Sequence, residues 1–198
     1  MLRLGEGEVM NDNETTYSDY IEKEIKLLSK IDKQKLNAIV FMIKEAYDGD
    51  NMVFIAGNGG SAATANHFAC DFGKNAVKRS AKRIRIVSLS ASSSTITALG
   101  NDYAMESIFT EQLKNLMRPH DILILVSASG NSPDIVRAAE YAKSIGNKVI
   151  GLSGFDGGIL DKMADIGIRV DSSLYEQVED LHLTMLHLVT KAFIGMDL

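Results

Sequence analysis

Several residue types are scarce in this sequence, and each shortage excludes a class of protein. One cysteine among 198 residues excludes an intramolecular disulfide framework and makes a reducing cytoplasm the expected location. No apolar run reaches membrane-spanning length, and the acidic, polar N-terminus lacks the pattern of a signal peptide. A formal net charge of −5 argues against a nucleic-acid-binding protein. The remaining composition is that of a globular protein whose length suits one domain.

Apolar runs alternate with helical patterns along most of the chain. Strands are expected at residues 53–57, 84–89, 121–126, 148–152 and 166–170. This alternation predicts a doubly wound, five-stranded parallel sheet with flanking helices. Residues 1–17 lack a pattern and are expected to form a mobile leader, followed by a short helix over 20–28. Asp32 is expected to begin a helix over 33–47. A short helix over 95–99 is expected to end at Gly100–Asp102, and one helix is expected over 105–117. Residues 18–198 are expected to form a single domain.

A glycine-rich turn follows the first predicted strand. Gly57, Gly59 and Gly60 permit positive φ and a close approach of the backbone to a ligand. Ser61 then opens a helix, whose first N–H groups are unpaired and attract an anion such as phosphate. The spacing differs from that of the dinucleotide-binding GxGxxG motif, and no GK[ST] sequence follows. The alternative is an ordinary strand-to-helix turn.

A serine-rich turn follows the third predicted strand, which is very apolar. Ser127, Ser129 and Ser132 offer hydroxyl groups, and Pro133 suits the first position of the next helix. Hydroxyl and amide groups without a fixed positive charge suit a phosphate monoester. Serine capping without ligand binding is the alternative. Both turns follow strands, where doubly wound sheets bind their ligands.

Titratable residues occur together on two predicted helices. His67 and Asp71 are four residues apart and share a helix face, as a base or a pair of metal ligands would. A solvent-facing polar pair is the alternative. The last helix, expected from Tyr175 to about Phe193, carries Glu179, Asp180, His182 and His187. A lone histidine there is usually a core residue, but two carboxylates and two histidines together favour a site.

A basic segment lies between the first and second predicted strands. It contains Lys74, Lys78, Arg79, Lys82, Arg83 and Arg85. In an acidic protein such a cluster attracts anionic substrates. A solvated loop is the alternative interpretation.

Four motifs together resemble the SIS (sugar isomerase) domain family, in that family's order and spacing. They are GNGGS at 57–61, HFA at 67–69, GNDY at 100–103 and SASGNS at 127–132. Within the family they resemble the sedoheptulose 7-phosphate isomerase (phosphoheptose isomerase) branch, from about Tyr20 to the C-terminus. The resemblance implies an aldose–ketose isomerase that acts on a phosphorylated sugar through an enediol.

The resemblance also implies roles for individual residues. The sugar phosphate would be held by Ser61, Ser127, Ser129 and Ser132. Other contacts to the substrate would come from Asn58, Gly59, Gly60, Ser92, Asn101, Asp102 and Glu179. A zinc ion would be bound by His67, Asp71, Glu179 and His187, all of them suitable ligands. Asp71 would act as the base and His187 as the acid.

Some positions depart from the family pattern. Asp71 stands in place of Glu, Glu179 in place of Gln and Ser92 in place of Asp. Asn75, or Lys74 in a shifted register, stands where an Arg is expected. The phosphate-binding serines are kept while contacts to the sugar and the base change, which indicates a different phosphosugar or a loss of catalysis.

Two further hypotheses about function stay open at this point. A non-catalytic SIS module would sense a phosphosugar or serve as a protein adaptor, although the presence of His187 favours an enzyme. A metal-dependent lyase or epimerase on the same site is a third reading. The resemblance further implies a homotetramer with active sites between subunits, in which the N- and C-terminal helices pack against neighbouring chains.

Overall fold

The computed structural model describes residues 6–75 and 82–196, with side chains from residue 13 onward. The helices are α1 (Glu6–Ser29), α2 (Lys33–Asp48), α3 (Gly59–Asn75), α4 (Ser93–Asp102), α5 (Ile108–Leu116), α6 (Pro133–Ser144), α7 (Gly158–Met163) and α8 (Tyr175–Ile194). The strands are β1 (Met52–Gly57), β2 (Arg85–Ser88), β3 (Ile122–Ser127), β4 (Lys148–Ser153) and β5 (Ile166–Arg169). None of the helices in these described residues has the length and apolar character needed to cross a membrane.

The five strands form one sheet in the order β2-β1-β3-β4-β5, and every neighbouring pair is parallel. The predicted five-stranded parallel sheet is therefore confirmed. Strand β3 is buried along its whole length, as expected for a central strand with helices on both faces.

Both faces of the sheet are covered. Phe54 and Ala56 of β1 belong to a core cluster that also contains residues of α5, α6 and α7. Val53 and Ile55 alternate with them, so they point to the opposite face, and they are just as fully buried. Helix α8 contacts both α2 and α3, and α2 and α3 contact β1. The helices thus form a layer on each side.

The strand order places a topological switch point between β1 and β3. From β1 the chain goes through α3 to β2 on one side, while from β3 it goes through α6 to β4 on the other. Gly57, the last residue of β1, is the ladder partner of Val126, which directly precedes Ser127. The glycine and serine turns therefore begin side by side, at the edge where such folds bind ligands.

The N-terminal part is more helical than expected. Contacts divide the chain into two units, residues 1–31 and 32–198. Helix α1 starts at Glu6 and includes residues that were expected to belong to a patternless leader. The sequence there has no proline, and its glutamate and methionine residues favour helix formation. The mobility of residues 1–17 and the domain boundary at 17/18 stay predictions.

Helix α4 also differs from expectation. The Gly100–Asp102 segment was expected to end a short helix over 95–99, but it lies inside the last turn of α4. The helix begins earlier as well, because the Ser92 hydroxyl caps it by accepting a hydrogen bond from the Thr95 amide. A 3-10 turn (Met105–Ser107) then leads into α5, where one continuous helix from 105 was expected.

Candidate active site

The glycine turn after β1 is tight because Gly57 lies directly against Ser61. A methyl group on Gly57 would be 2.6 Å from the Ser61 carbonyl oxygen and 2.8 Å from its Cβ. The Ser90 hydroxyl donates to the Gly57 carbonyl (2.8 Å) and accepts from its amide (3.1 Å). Gly59 adopts a φ of 53°, in the left-handed region that favours glycine. Ser90 was not singled out from the sequence, although it lies in a serine-rich stretch after β2.

The serine turn after β3 is organised by its own hydroxyl groups. The Gly130 amide donates to both the carbonyl (3.1 Å) and the hydroxyl (3.2 Å) of Ser127. The Ser129 hydroxyl accepts from the Asn131 amide at 3.2 Å. Ser132 occupies the N-cap of α6 as expected, but its side chain makes no capping hydrogen bond. Its hydroxyl therefore remains available to a ligand at the start of the helix.

The two turns are joined by a hydrogen bond that the sequence did not reveal. The Asn58 amide group donates to the Asp134 carboxylate at 2.8 Å. Asp134 lies in the first turn of α6 and is 7% exposed. Acidic residues are common in first turns, so Asp134 alone carried no signal. The bond fixes Asn58 between the glycine and serine turns.

Three predicted metal ligands converge where α3 passes α8. The Nε2 atoms of His67 and His187 are 2.8 Å apart. An Asp71 carboxylate oxygen lies 3.3 Å from the His67 Nε2 and 3.9 Å from the His187 Nε2. The three side chains are between a third and a half exposed, so a ligand can reach them.

These distances suit a divalent metal. A tetrahedral zinc ion with bonds of about 2.0–2.1 Å holds its ligand atoms about 3.3 Å apart. The three observed distances of 2.8, 3.3 and 3.9 Å lie around that value. Two imidazoles and one carboxylate also leave a fourth position open, as catalytic zinc sites do.

Glu179 does not lie within this group in the structure, and its role as a fourth metal ligand stays a prediction. Its carboxylate lies instead against Gly60, so that a methyl group on Gly60 would come within 2.5 Å of the Glu179 Cδ. Glu179 precedes His187 by two turns of α8, and this distance along the helix separates it from the histidines. Its position at the start of α3 favours a contact with the substrate.

Helices α3 and α8 run side by side in a regular way. Gly60 contacts Glu179, His67 contacts His187, and the rings of Phe72 and Phe193 are centred 5.0 Å apart. In each case the partners are about 120 residues apart in the chain. Phe72 and Phe193 are fully buried, so the packing of these helices sets the positions of the histidines.

The remaining polar residues of α8 have different environments. His182 is fully buried, with its Nε2 3.0 Å from the Ser153 carbonyl oxygen and its Nδ1 without a partner among the described residues. Burial lowers the pKa of His182 to about 4, and the hydrogen bond to Ser153 opposes that shift only in part. His182 is therefore a neutral core residue. Asp180 is exposed.

A cleft of about 670 Å³ opens beside the serine turn. It is lined by Asn58, Ala104, Met105, Glu106, Ser132, Pro133 and Asp134. Asn101 and Asp102 end the helix just before this cleft, and their side chains hydrogen-bond to each other at 3.1 Å. Both are exposed, and their contact with substrate stays a prediction. Ser92, by contrast, is engaged in capping α4, and its contact with substrate stays a prediction.

The basic segment is mostly tied to the backbone where it is described. Lys82 donates to the Tyr47 carbonyl at 2.7 Å, Arg83 to that of Gly73 at 3.1 Å and Arg85 to that of Asp50 at 2.8 Å. These bonds favour a structural role for those side chains over the attraction of substrate. Lys78 and Arg79 lie outside the described residues.

The fold and its paired turns define a doubly wound α/β protein with polar turns on both sides of the switch point. Residues 16–154 match the SIS domain family, and the chain belongs to that family. It is 33% identical over 174 residues to phosphoheptose isomerase of Helicobacter pylori, a match spanning 87% of this chain and 88% of that protein. It is 32% identical over 170 residues to a probable phosphoheptose isomerase of Thermoplasma acidophilum, spanning 86% and 93% of the two chains.

A solved structure agrees with these relatives. Phosphoheptose isomerase from Neisseria gonorrhoeae is 26% identical and superposes with a TM-score of 0.86 over 92% of this chain and 99% of that one. The resemblance drawn from the four sequence motifs is therefore confirmed. The roles of individual site residues stay predictions.

Proposed function

We propose that this protein is an aldose–ketose isomerase that converts sedoheptulose 7-phosphate to a heptose 7-phosphate. The observation that carries the proposal is the convergence of His67, Asp71 and His187 on helices that also border the glycine turn. This arrangement places acid–base groups next to an anion-binding site. The relatives at about one-third identity are phosphoheptose isomerases by name.

The phosphate group of the substrate is received by the two turns at the switch point. The hydroxyls of Ser129 and Ser132 and the amides at the start of α6 form one side of this phosphate-binding site. Gly59 and Gly60, which are exposed, form the other side. Ser61 is 4% exposed, and we propose that it contributes chiefly by supporting Gly57. No fixed positive charge is required, because helix N-termini favour anions.

Isomerisation requires a proton to move between two neighbouring carbon atoms. Asp71 removes a proton from the hydroxymethyl carbon beside the ketone, and the resulting electron pair forms the enediol double bond while the ketone oxygen gains a proton. The neighbouring hydroxyl then loses its proton and becomes the aldehyde carbonyl, and the former ketone carbon accepts a proton. His187 moves the proton between the two oxygen atoms.

A zinc ion is the metal that the three converging side chains suit, and His67, Asp71 and His187 would hold it. Bound there, it would polarise the substrate carbonyl. An atom that holds the metal cannot also move a proton, so the second oxygen of Asp71 and the second ring nitrogen of His187 would make the proton transfers. Glu179, next to Gly60, binds the sugar in this proposal.

The hypothesis of a non-catalytic sensor or adaptor is not favoured. It does not require the convergence of two histidines and a carboxylate from separate helices, nor the separate placement of Glu179 over Gly60. A binding module would need only the turns.

We also propose that the protein works as a homotetramer with active sites near subunit interfaces. Helix α1 carries an apolar stripe at Tyr17, Ile21, Ile25 and Leu28, spaced by three or four residues and exposed to between 38% and 62%. Such a stripe on one helix face favours burial against another chain.

Cys70, a free and exposed thiol, fits the proposed reducing cytoplasm.

The direct test follows the proton that the enediol mechanism exchanges. The protein, with and without added zinc, is incubated in D₂O with sedoheptulose 7-phosphate, and the protons beside the carbonyl are followed by NMR. Exchange together with the appearance of an aldose phosphate is expected. A panel of shorter ketose phosphates serves as the control for substrate choice. Binding without exchange across the whole panel would overturn the proposal and support the binding module.

A further inference from the structure

His182 is the most deeply buried titratable residue that the structure describes, and the mechanism above does not use it. Its Nε2 lies 3.0 Å from the carbonyl oxygen of Ser153. A carbonyl oxygen only accepts hydrogen bonds, so the His182 Nε2 must carry the proton. The lowered pKa agrees with a neutral ring.

The carbonyl that His182 binds stands at the end of β4, beside the serine turn. Ser153 is the ladder partner of Ser127, the first residue of that turn. The next amide along the chain, that of Gly154, donates to the Ala128 carbonyl at 2.8 Å. A continuous series of hydrogen bonds and one peptide link thus connects the imidazole to the serine turn.

Helix α8 holds the same junction by packing as well. A methyl group on Gly154 would lie 2.5 Å from a Cγ atom of Val178, so the Val178 side chain rests directly on the Gly154 backbone. Val178 and His182 are four residues apart and share a face of α8. The Ser153 carbonyl also accepts from the Val170 amide at 2.8 Å, which pairs it even without the histidine.

We propose that His182 is a positioning residue for phosphate binding. By donating to the Ser153 carbonyl it holds the end of β4, and through Gly154 and Ala128 it holds the serine turn in the shape that receives the sugar phosphate. Position 182 needs an N–H group that donates to the Ser153 carbonyl, and it needs no charge. The proposal rests on the proposed function, because it assigns the phosphate to that turn.

Three variants separate this role from simple core packing. His182→Leu removes the donor, while His182→Gln keeps an N–H group that can reach the same carbonyl. Thr190→Val is the matched control, since it removes another buried side-chain hydrogen bond from α8, that to Leu186, away from Ser153. KM and kcat for sedoheptulose 7-phosphate and the Kd for inorganic phosphate are measured for each.

The expected result is a loss of phosphate affinity without a loss of chemistry. His182→Leu should raise KM and the phosphate Kd about fivefold, as expected for one hydrogen bond, with kcat within about twofold. His182→Gln should restore most of the affinity, and Thr190→Val should leave it unchanged. Unchanged affinity in folded His182→Leu, or equal losses in the Gln or Thr190→Val variants, would overturn the proposal.

A measurement on the wild-type protein covers the case in which His182→Leu does not fold. With ¹⁵N-labelled histidine, saturating inorganic phosphate should shift the Nε2–H resonance of His182, and the absence of any shift would overturn the coupling. If the wild-type protein binds phosphate but does not isomerise the sugar, the proposed function fails while the phosphate constants still decide the role of His182. If it binds no phosphate, both fail.

Discussion

The Nε2 atoms of His67 and His187 lie 2.8 Å apart although 120 residues separate them in the chain. Each stands on a different helix, and the carboxylate of Asp71 lies within 3.9 Å of both nitrogens. Two imidazole nitrogens at this distance share one proton or bind one cation. The proposed acid–base chemistry depends on this juxtaposition.

Replacement of either histidine should weaken zinc binding. His67→Asn and His187→Asn each remove one of three ligands, so zinc affinity should fall on the order of a hundredfold, at least as much as for loss of a supporting hydrogen bond. Zinc titration by calorimetry measures the effect. His120→Asn, at the opposite end of the sheet before β3, is the matched control. Equal zinc affinity in all three variants would place the metal elsewhere.

Asp71→Asn should abolish most of the isomerase activity because an amide cannot accept the substrate proton. A fall in kcat/KM of about 10²–10⁴-fold is expected, the usual contribution of a general base. Asp48→Asn, which alters an exposed carboxylate paired with Lys44, should have no effect. Activity in Asp71→Asn above a tenth of the wild-type value would remove Asp71 from its role as base.

Gly57→Ala and Gly60→Ala should have different effects. The added methyl at Gly57 meets the Ser61 backbone, which cannot move aside, so the free energy of unfolding should fall by about 2–3 kcal/mol. At Gly60 it meets the end of the flexible Glu179 side chain, so stability should stay within about 1 kcal/mol.

The two glycine variants are also compared by their enzymatic activity. Gly60→Ala should raise KM because it displaces Glu179. Denaturant unfolding and steady-state kinetics measure both variants, and the double variant Gly60→Ala/Glu179→Ala tests whether the two effects are coupled. Fully additive effects would contradict the contact between Gly60 and Glu179.

The buried imidazole of His182 should make the fold sensitive to acid. Its pKa is about 4 in the folded state against 6.5 for an ordinary histidine, so the unfolded chain takes up the proton first as the pH falls. Stability present above pH 6.5 should therefore be lost between about 6.5 and 4, by roughly 3 kcal/mol in total. Unfolding free energies of wild type and His182→Gln, measured across this range, isolate the effect. Parallel curves would show that His182 does not cause it.

A charge in the apolar stripe of α1 should break the proposed tetramer. Ile25→Asp places a carboxylate where the proposal buries an apolar side chain, so the mass by analytical ultracentrifugation should fall below that of four chains. Lys23→Asp, exposed on the same helix, is the control. A tetrameric Ile25→Asp variant would show that the stripe is not at an interface.

Much of the fold followed from local patterns in the sequence. The apolar run at residues 121–126 predicted a central parallel strand, and the structure buries β3 completely. Asp32 was expected to begin a helix, and its carboxylate accepts from the amides of Gln34 and Lys35. These features depend on neighbouring residues, so the sequence contains their signal. The early start of α1 was missed because residues 6–17 have no apolar periodicity.

The sequence by itself determined the two turns and their order, because glycine and serine spacing acts through the local backbone. Through resemblance to a family, the sequence also predicted the four candidate metal ligands. Only the tertiary structure decided which of them meet. The packing of α3 against α8 brings His67 to His187 and leaves Glu179 at Gly60, since two turns of helix separate the two α8 residues. Contacts across 120 residues, and the hydrogen bond from Asn58 to Asp134, depend on that packing and have no local signal.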